Sequence, residues 1–224
     1  ERECFMKKIL LSVIALIAMA GALIFGGCSE QTFESKSYSV EAEKVSSVNI
    51  DVTDRTVEID IWEGDDIEIE YSESDKEYYN IAVDENGGLK MELVLDYEWT
   101  DYIGYKPDGE YKKIIVKLPA ADYKSINVTT TNEDIDVGAV SATSVSLNSN
   151  GGSVNFDGGA ADSAEFTSKN GNISGTLAGS IVDYTIECTI KKGDTNVNDR
   201  TGGTKTLKLD CNNGDIEVAF AEDN

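Results

Sequence analysis

The sequence predicts an all-β fold, and within that class a repetitive β-solenoid of the parallel β-helix or β-roll kind. The first observation is a repeat. Between Ser125 and Phe220 the chain runs INVTTTNEDIDV, VSLNSNGGSVNF, AEFTSKNGNISG, IECTIKKGDTNV and LKLDCNNGDIEV. Aligned just after the turn, Ile135, Val154, Ile173, Thr195 and Ile216 form one column, with spacings of 19, 19, 22 and 21 residues. The second observation is that further columns keep the same spacings: Val137 to Val218, Val128 to Leu209, and Ile126 to Leu207. The third is that column residues alternate with polar ones, the pattern of a half-buried strand. A shared register is what stacking coils require, since each buried residue then lies on its counterpart. The N-G and G-G turns between the half-units also fit a hairpin-built β-sandwich, which stands as the alternative.

In chain order, Lys7 and Lys8 form a basic region, and Ile9 to Phe25 is an uncharged apolar run. This reads as a secretory signal peptide over residues 1–27, with Met6 the more natural start and residues 1–5 upstream of it. Residues 28–44 are polar and without periodicity, as expected of a tether. Residues 45–124 form an irregular first part of the β domain, continuous with the five-unit repeat over residues 125–220. In that first part Val48, Ile50 and Val52 alternate with polar residues, as do Val57, Ile59 and Ile61, and Ile67, Ile69 and Tyr71. Gly64-Asp65-Asp66 and Asn86-Gly87-Gly88 supply turns, and Ile81 to Val83, Leu89 to Leu95 and Ile114 to Leu118 supply further strands. Pro119 closes the last of these. No convincing helix follows Cys28.

Two resemblances extend this reading. Small residues before a cysteine at the end of the apolar run, in Ile24-Phe25-Gly26-Gly27-Cys28, resemble the lipobox of bacterial lipoproteins. That resemblance implies cleavage before Cys28 and a diacylglyceryl group on its sulfur, although Phe25 stands where the family usually has Leu. An uncleaved membrane helix is the alternative. The combination VNIDVTDRTVEIDIWEGDDIEIEY, then IIVKLPAADYKSINVTTTNEDIDV, then N-G-punctuated repeats resembles the bacterial adhesin-like family of β-strand-repeat envelope proteins, a domain of unknown function. Over roughly Val45 to Phe220 the resemblance implies a solenoid-like fold and an envelope location. It brings no catalytic residues.

The net charge is −23, which makes nucleic acid and anionic lipid poor partners. A cation or a basic protein patch fits better. Without any histidine, the chain lacks His-based triads, His-ligated zinc and the commonest general base. Cys188 falls in the inward column, as a small buried hydrophobe. Cys211 lies two residues further along the strand, about 8 Å away across one rung, so both are expected as free thiols. The turn column Asp134, Ser153, Asn172, Asp194 and Asp215, with Asp136 and Glu217 facing outward, could in principle hold calcium through oxygens. The interruption by Ser153 and Asn172, and the missing calcium-roll nonapeptide, favour plain turn residues. No carboxylate pair suited to glycoside cleavage stands out. No cofactor, metal or enzymatic activity is expected.

Aromatic residues are uneven: both tryptophans and seven of the ten tyrosines fall between residues 62 and 111. Loops as long as DYEWTDYIGYKPDG are often functional, and Trp and Tyr are good anchors. Trp99, Tyr102 and Tyr105 are therefore the expected ligand contacts, with capping of one solenoid end as the alternative role. The expected protein is a membrane-anchored envelope lipoprotein whose acidic solenoid binds a carbohydrate or protein ligand. An envelope-stress or structural accessory that contacts other envelope proteins is the second expectation.

Overall fold

The structure, a computed structural model, describes residues 31–98 and 109–222. Cys28, Trp99, Tyr102 and Tyr105 lie outside the described residues. The described residues form fifteen strands and three short 3-10 turns. None of their helices is long and apolar enough to cross a membrane.

The fold is a solenoid, with two facing parallel sheets and one buried core between them. Its first coil pairs β2 (Ser47–Asp51) with β3 (Thr56–Trp62), and the second pairs β6 (Gly88–Leu95) with β7 (Lys113–Pro119). The third consists of β8 (Asp122–Thr130) and β9 (Ile135–Val137). The fourth runs from β10 (Ser141–Ser149) into the start of β11 (Val154–Ser168), and the fifth from the end of β11 into β12 (Ile173–Leu177). The sixth holds β13 (Tyr184–Lys192) and Thr195, and the seventh β14 (Lys205–Asn213) and β15 (Ile216–Phe220). β11 itself passes from one sheet to the other, so the two sheets form one continuous surface.

The columns stack in the register read from the sequence. Val128 pairs with Leu147, Leu147 with Phe166, Phe166 with Leu209, and Leu209 with Cys188. Ile135, Val154, Ile173, Ile216 and Thr195 do the same in the facing sheet. Residues of this parity are almost all fully buried, from Val48 and Ile50 through Ile126, Leu147 and Ile173 to Leu209. Burying a side chain of this size contributes roughly 1.5–3 kcal/mol, and repetition of that gain at every coil makes the stack cohere.

The order of the coils is not the order of the chain. β14 lies between β11 and β13, so the seventh coil sits inside the sixth. At the other end β2 lies between β6 and β8, so the second coil sits outside the first. The uneven repeat spacings now have a cause. Stepping over a rung adds about 4.8 Å of travel, which two or three extended residues at about 3.3 Å each supply. The units entering and leaving the sixth coil are three and two residues longer than the others, as their spacings of 22 and 21 against 19 show.

The beginning of the chain departs from expectation. Residues 34–41, read as part of a tether, are strand β1 (Glu34–Glu41), antiparallel to β4 (Asp66–Glu73). Tyr38 and Val40 pack against the core. The period-2 pattern is present in Tyr38 and Val40 but too short, and too mixed with Ser and Lys, to stand out. β5 (Glu77–Val83) is antiparallel to β6, and β4 to β7. The first end of the solenoid is thus covered by antiparallel strands.

The other end is covered by a loop. Ile186 and Arg200 exchange both backbone hydrogen bonds, at 2.8 and 2.9 Å, and the Cys188 N–H donates to Asp199 Oδ1 at 2.8 Å. These contacts occupy the outer edge of β13, the edge that would otherwise offer itself to another strand. Cys188 is only half-buried, contrary to the expectation for its column, because no coil stacks beyond it. Cys211 is buried, and both thiols are free.

Candidate functional site

Three hydrogen-bond ladders line the corner where the front sheet turns into the back one. In the first, Thr130 Oγ1 donates to Arg55 O at 2.7 Å, Ser149 Oγ to Glu133 O at 3.0 Å, and Ser168 Oγ to Gly152 O at 2.9 Å. Ser149 and Ser168 each accept in turn from the N–H three residues on, that of Gly152 and Gly171, both at 2.9 Å. Cys211 continues the row, its Sγ 3.4 Å from Gly171 O. Each of these buried hydroxyls accepts from a backbone N–H, Thr130 from that of Arg55 at 3.4 Å, and donates to a carbonyl of a neighbouring coil, so their burial carries no unpaired group. The sequence signal is a Ser or Cys three residues before the turn glycine.

The acidic turn column is the second ladder. Asp134 Oδ1 accepts from Ser153 N at 2.6 Å, Ser153 Oγ from Asn172 N at 3.3 Å, Asn172 Oδ1 from Asp215 N at 2.9 Å, and Asp215 Oδ1 from Asp194 N at 2.8 Å. Each side chain therefore fastens the next coil, and Ser and Asn serve as well as Asp because only an acceptor is needed. Among the described residues no group of three or more Cys, Asp or Glu is placed to hold a metal ion. The third ladder is an amide one, in which Asn213 Nδ2 donates to Asn170 Oδ1 and Asn170 Nδ2 to Asn150 O, both at 2.9 Å. On the outer wall, Asp136 has its carboxyl pushed up by burial, with Asp134 and Glu58 beside it adding to the effect.

The most concentrated chemistry lies at the first end of the solenoid. Arg55 and Glu77 form an ion pair with both side chains only 2% exposed. Arg55 Nε donates to Tyr79 Oη at 2.8 Å, and its Nη1 reaches Asp54 O at 3.0 Å. The other carboxylate oxygen of Glu77 accepts from Tyr97 Oη and, at 3.4 Å, from Gln31 Nε2, which also donates to Ser74 Oγ. Burial first, and then the hydrogen bond to Glu77, push the Tyr97 hydroxyl well above the usual phenol range. A buried charge pair is tolerated only when both charges find partners, and here every arm of both groups is used.

Sequence reasoning missed this network, although parity could have found it. Arg55, just before β3, is in phase with Val57 and Ile59, and Glu77, the first residue of β5, with Tyr79 and Ile81, so each run carries an inward-pointing charge at its start. The network ties four separate stretches together: the start of the described chain at Gln31, the first coil at Arg55, β5 at Glu77 and Tyr79, and Tyr97. On the far side of the 99–108 segment, Tyr111 stacks on Phe33 with ring centroids 5.2 Å apart and planes 12° apart. Both flanks of the aromatic segment are thus fixed against residues 31–33. The expected contacts Trp99, Tyr102 and Tyr105 fall within that segment. Trp62, at the end of β3, instead lies over the outer wall, with Lys117 Nζ 5.9 Å from its ring.

With an all-β solenoid built on stacked columns, the chain falls in the class of β-strand-repeat domains, and the family can be stated. Residues 30–224 match the Toastrack DUF4097 family, and the chain is a member of it. In fold it is similar to the crystal structure of a candidate cell adhesion protein from Clostridium sporogenes ATCC 15579, with a TM-score of 0.53 at 12% identity, covering 84% of this chain and 100% of that one. A candidate adhesin from Bacteroides fragilis NCTC 9343 also matches, with a TM-score of 0.37 at 14% identity, over 83% of this chain and 97% of that one. No curated protein matches the chain.

Proposed function

We propose that this protein is a cell-envelope lipoprotein, held to the membrane by a lipid on Cys28, whose acidic Toastrack solenoid acts by binding a carbohydrate or protein ligand. The observation that carries the reading is the signal-like run ending in Gly26-Gly27-Cys28, followed within three residues by a folded, family-matched domain. Binding rather than catalysis fits a chain without histidine whose turn carboxylates and hydroxyls are spent on holding coils together. The fold likeness to a candidate cell adhesion protein supports the same role.

The test is protease shaving of intact cells with mass spectrometry of the released peptides and of the Cys28 peptide. Lipid on Cys28 and release of solenoid peptides from intact cells are expected. Release only after the wall or outer membrane is breached would move the role to an accessory of other envelope proteins. An unmodified Cys28 would refute the anchor.

A further inference from the structure

The chain outside the structure ends at Gln31, and Gln31 is already docked. Its amide is held by Ser74 and Glu77, and Phe33 two residues on is stacked on Tyr111. Only Ser29 and Glu30 separate Cys28 from Gln31, a reach of at most about 11 Å when fully extended. A lipid on Cys28 therefore brings this end of the solenoid to the headgroups, because no flexible spacer remains to hold it off.

The same end carries exposed apolar surface. Of the three large hydrophobic side chains exposed among the described residues, Tyr78 at 37% and Leu95 at 43% are at this end, and Val182 at 56% is beside β13 at the other. Tyr78 lies on the edge strand β5, opposite the half-buried Val94 of β6, and Leu95 ends β6. Tyrosine with neighbouring aliphatics suits the boundary between headgroups and acyl chains, where a ring can be apolar on one side and wet on the other. The side walls have the opposite character. Glu58 on β3 and Glu165 on β11 project from them, and a strongly acidic body is repelled by the negative surface of a membrane.

We propose that, given the lipid anchor at Cys28, the solenoid stands on the bilayer by its β5–β6 end, with Tyr78, Val94, Leu95 and Phe33 at the lipid interface. The β13 end points away. Seven strand-to-strand steps separate β5 from β13 in one sheet, about 34 Å at the usual strand spacing. The inference rests on the lipoprotein reading and adds to it the membrane-facing surface. The surface free to meet a ligand is then the far end and the upper walls.

The test uses the full lipidated chain in vesicles of phosphatidylcholine with phosphatidylglycerol, some lipids carrying a headgroup-level nitroxide quencher. A fluorophore is placed at Asn80→Cys on β5 or at Val182→Cys beside β13, in a Cys188→Ser background that leaves only the buried Cys211 thiol. Several-fold stronger quenching at position 80 than at 182 is expected. In the Asn80→Cys protein, adding Tyr78→Ser and Leu95→Ser should weaken the quenching while the protein still floats with the vesicles. Equal quenching at both positions would mean the solenoid lies flat, and none at either, with the protein still floating, would mean it stands off; both overturn the inference. Failure to float with Cys28 unmodified overturns the anchor reading, and the inference with it.

Discussion

Replacing Arg55 with Met isolates the energetic role of the buried network. The substitution keeps much of the side-chain length but leaves the Glu77 carboxylate 2% exposed and without its counter-charge. Breaking a buried pair from one side costs about 3–5 kcal/mol. If the domain melted as one unit, this would lower Tm by roughly 6–20 °C, at about 2–4 °C per kcal/mol for a chain of this size. Coils of a solenoid couple mainly to their neighbours, so the loss should be concentrated where the network sits. Amide hydrogen exchange is the assay. Opening of β1, β5 and β6 should speed up by about two to three and a half orders of magnitude, at 1.4 kcal/mol per tenfold. Exchange in β12 and β15, at the other end, should barely change. Adding Glu77→Leu should recover part of the loss, because the orphaned charge goes with it and only neutral hydroxyls lose a partner. The reasoning is refuted if the single variant leaves exchange at this end unchanged, or if the double variant is worse than the single.

Other expectations follow from the geometry. Gly175 has φ +140° and a Cβ there would run into the backbone of Phe156; Gly175→Ala should cost about 1–3 kcal/mol or more, read as a fall in thermal midpoint. Tyr71 and Tyr184 are both pushed up to about 12, first by burial and then by nearby carboxylates, Glu73 for the former and Asp183 and Asp162 for the latter. Their unfolded forms ionise near pH 10, so stability should be intact below that pH and be lost as pH rises from 10 towards 12; a tyrosinate absorbance titration should show ionisation coinciding with loss of folded structure. Asp199→Ala removes the acceptor that occupies the Cys188 N–H, and the bared edge of β13 should raise concentration-dependent association in sedimentation. A thiol reagent should modify half-buried Cys188 in the native protein, and buried Cys211, whose thiol is pushed up chiefly by burial, only on unfolding.

Much of the candidate site escaped the sequence for reasons visible in single residues. Asp134 and Asp215 read as turn acids, because nothing in a linear pattern says that each oxygen meets an N–H one coil away. Cys188 read as buried because its column is buried everywhere else; only its place in the last coil exposes it. Glu34–Glu41 read as tether because its few apolar residues gain their burial from β4, a strand more than twenty residues on.

The sequence by itself determined the all-β class, the solenoid, the parity of the repeat strands and the register of each column, from Val128 on Leu147 to Val154 on Ile173. Those properties depend only on which residues repeat and at what phase, and phase is carried by the chain itself. The tertiary structure decided the order of the coils, the antiparallel cover over one end, the loop over the other, and the meeting of Gln31, Arg55, Glu77 and Tyr97. A column of similar apolar residues stacks equally well in any order, so periodicity is silent about sequence of stacking. Only connection length and the partners of buried charges, both set in three dimensions, choose among the orders.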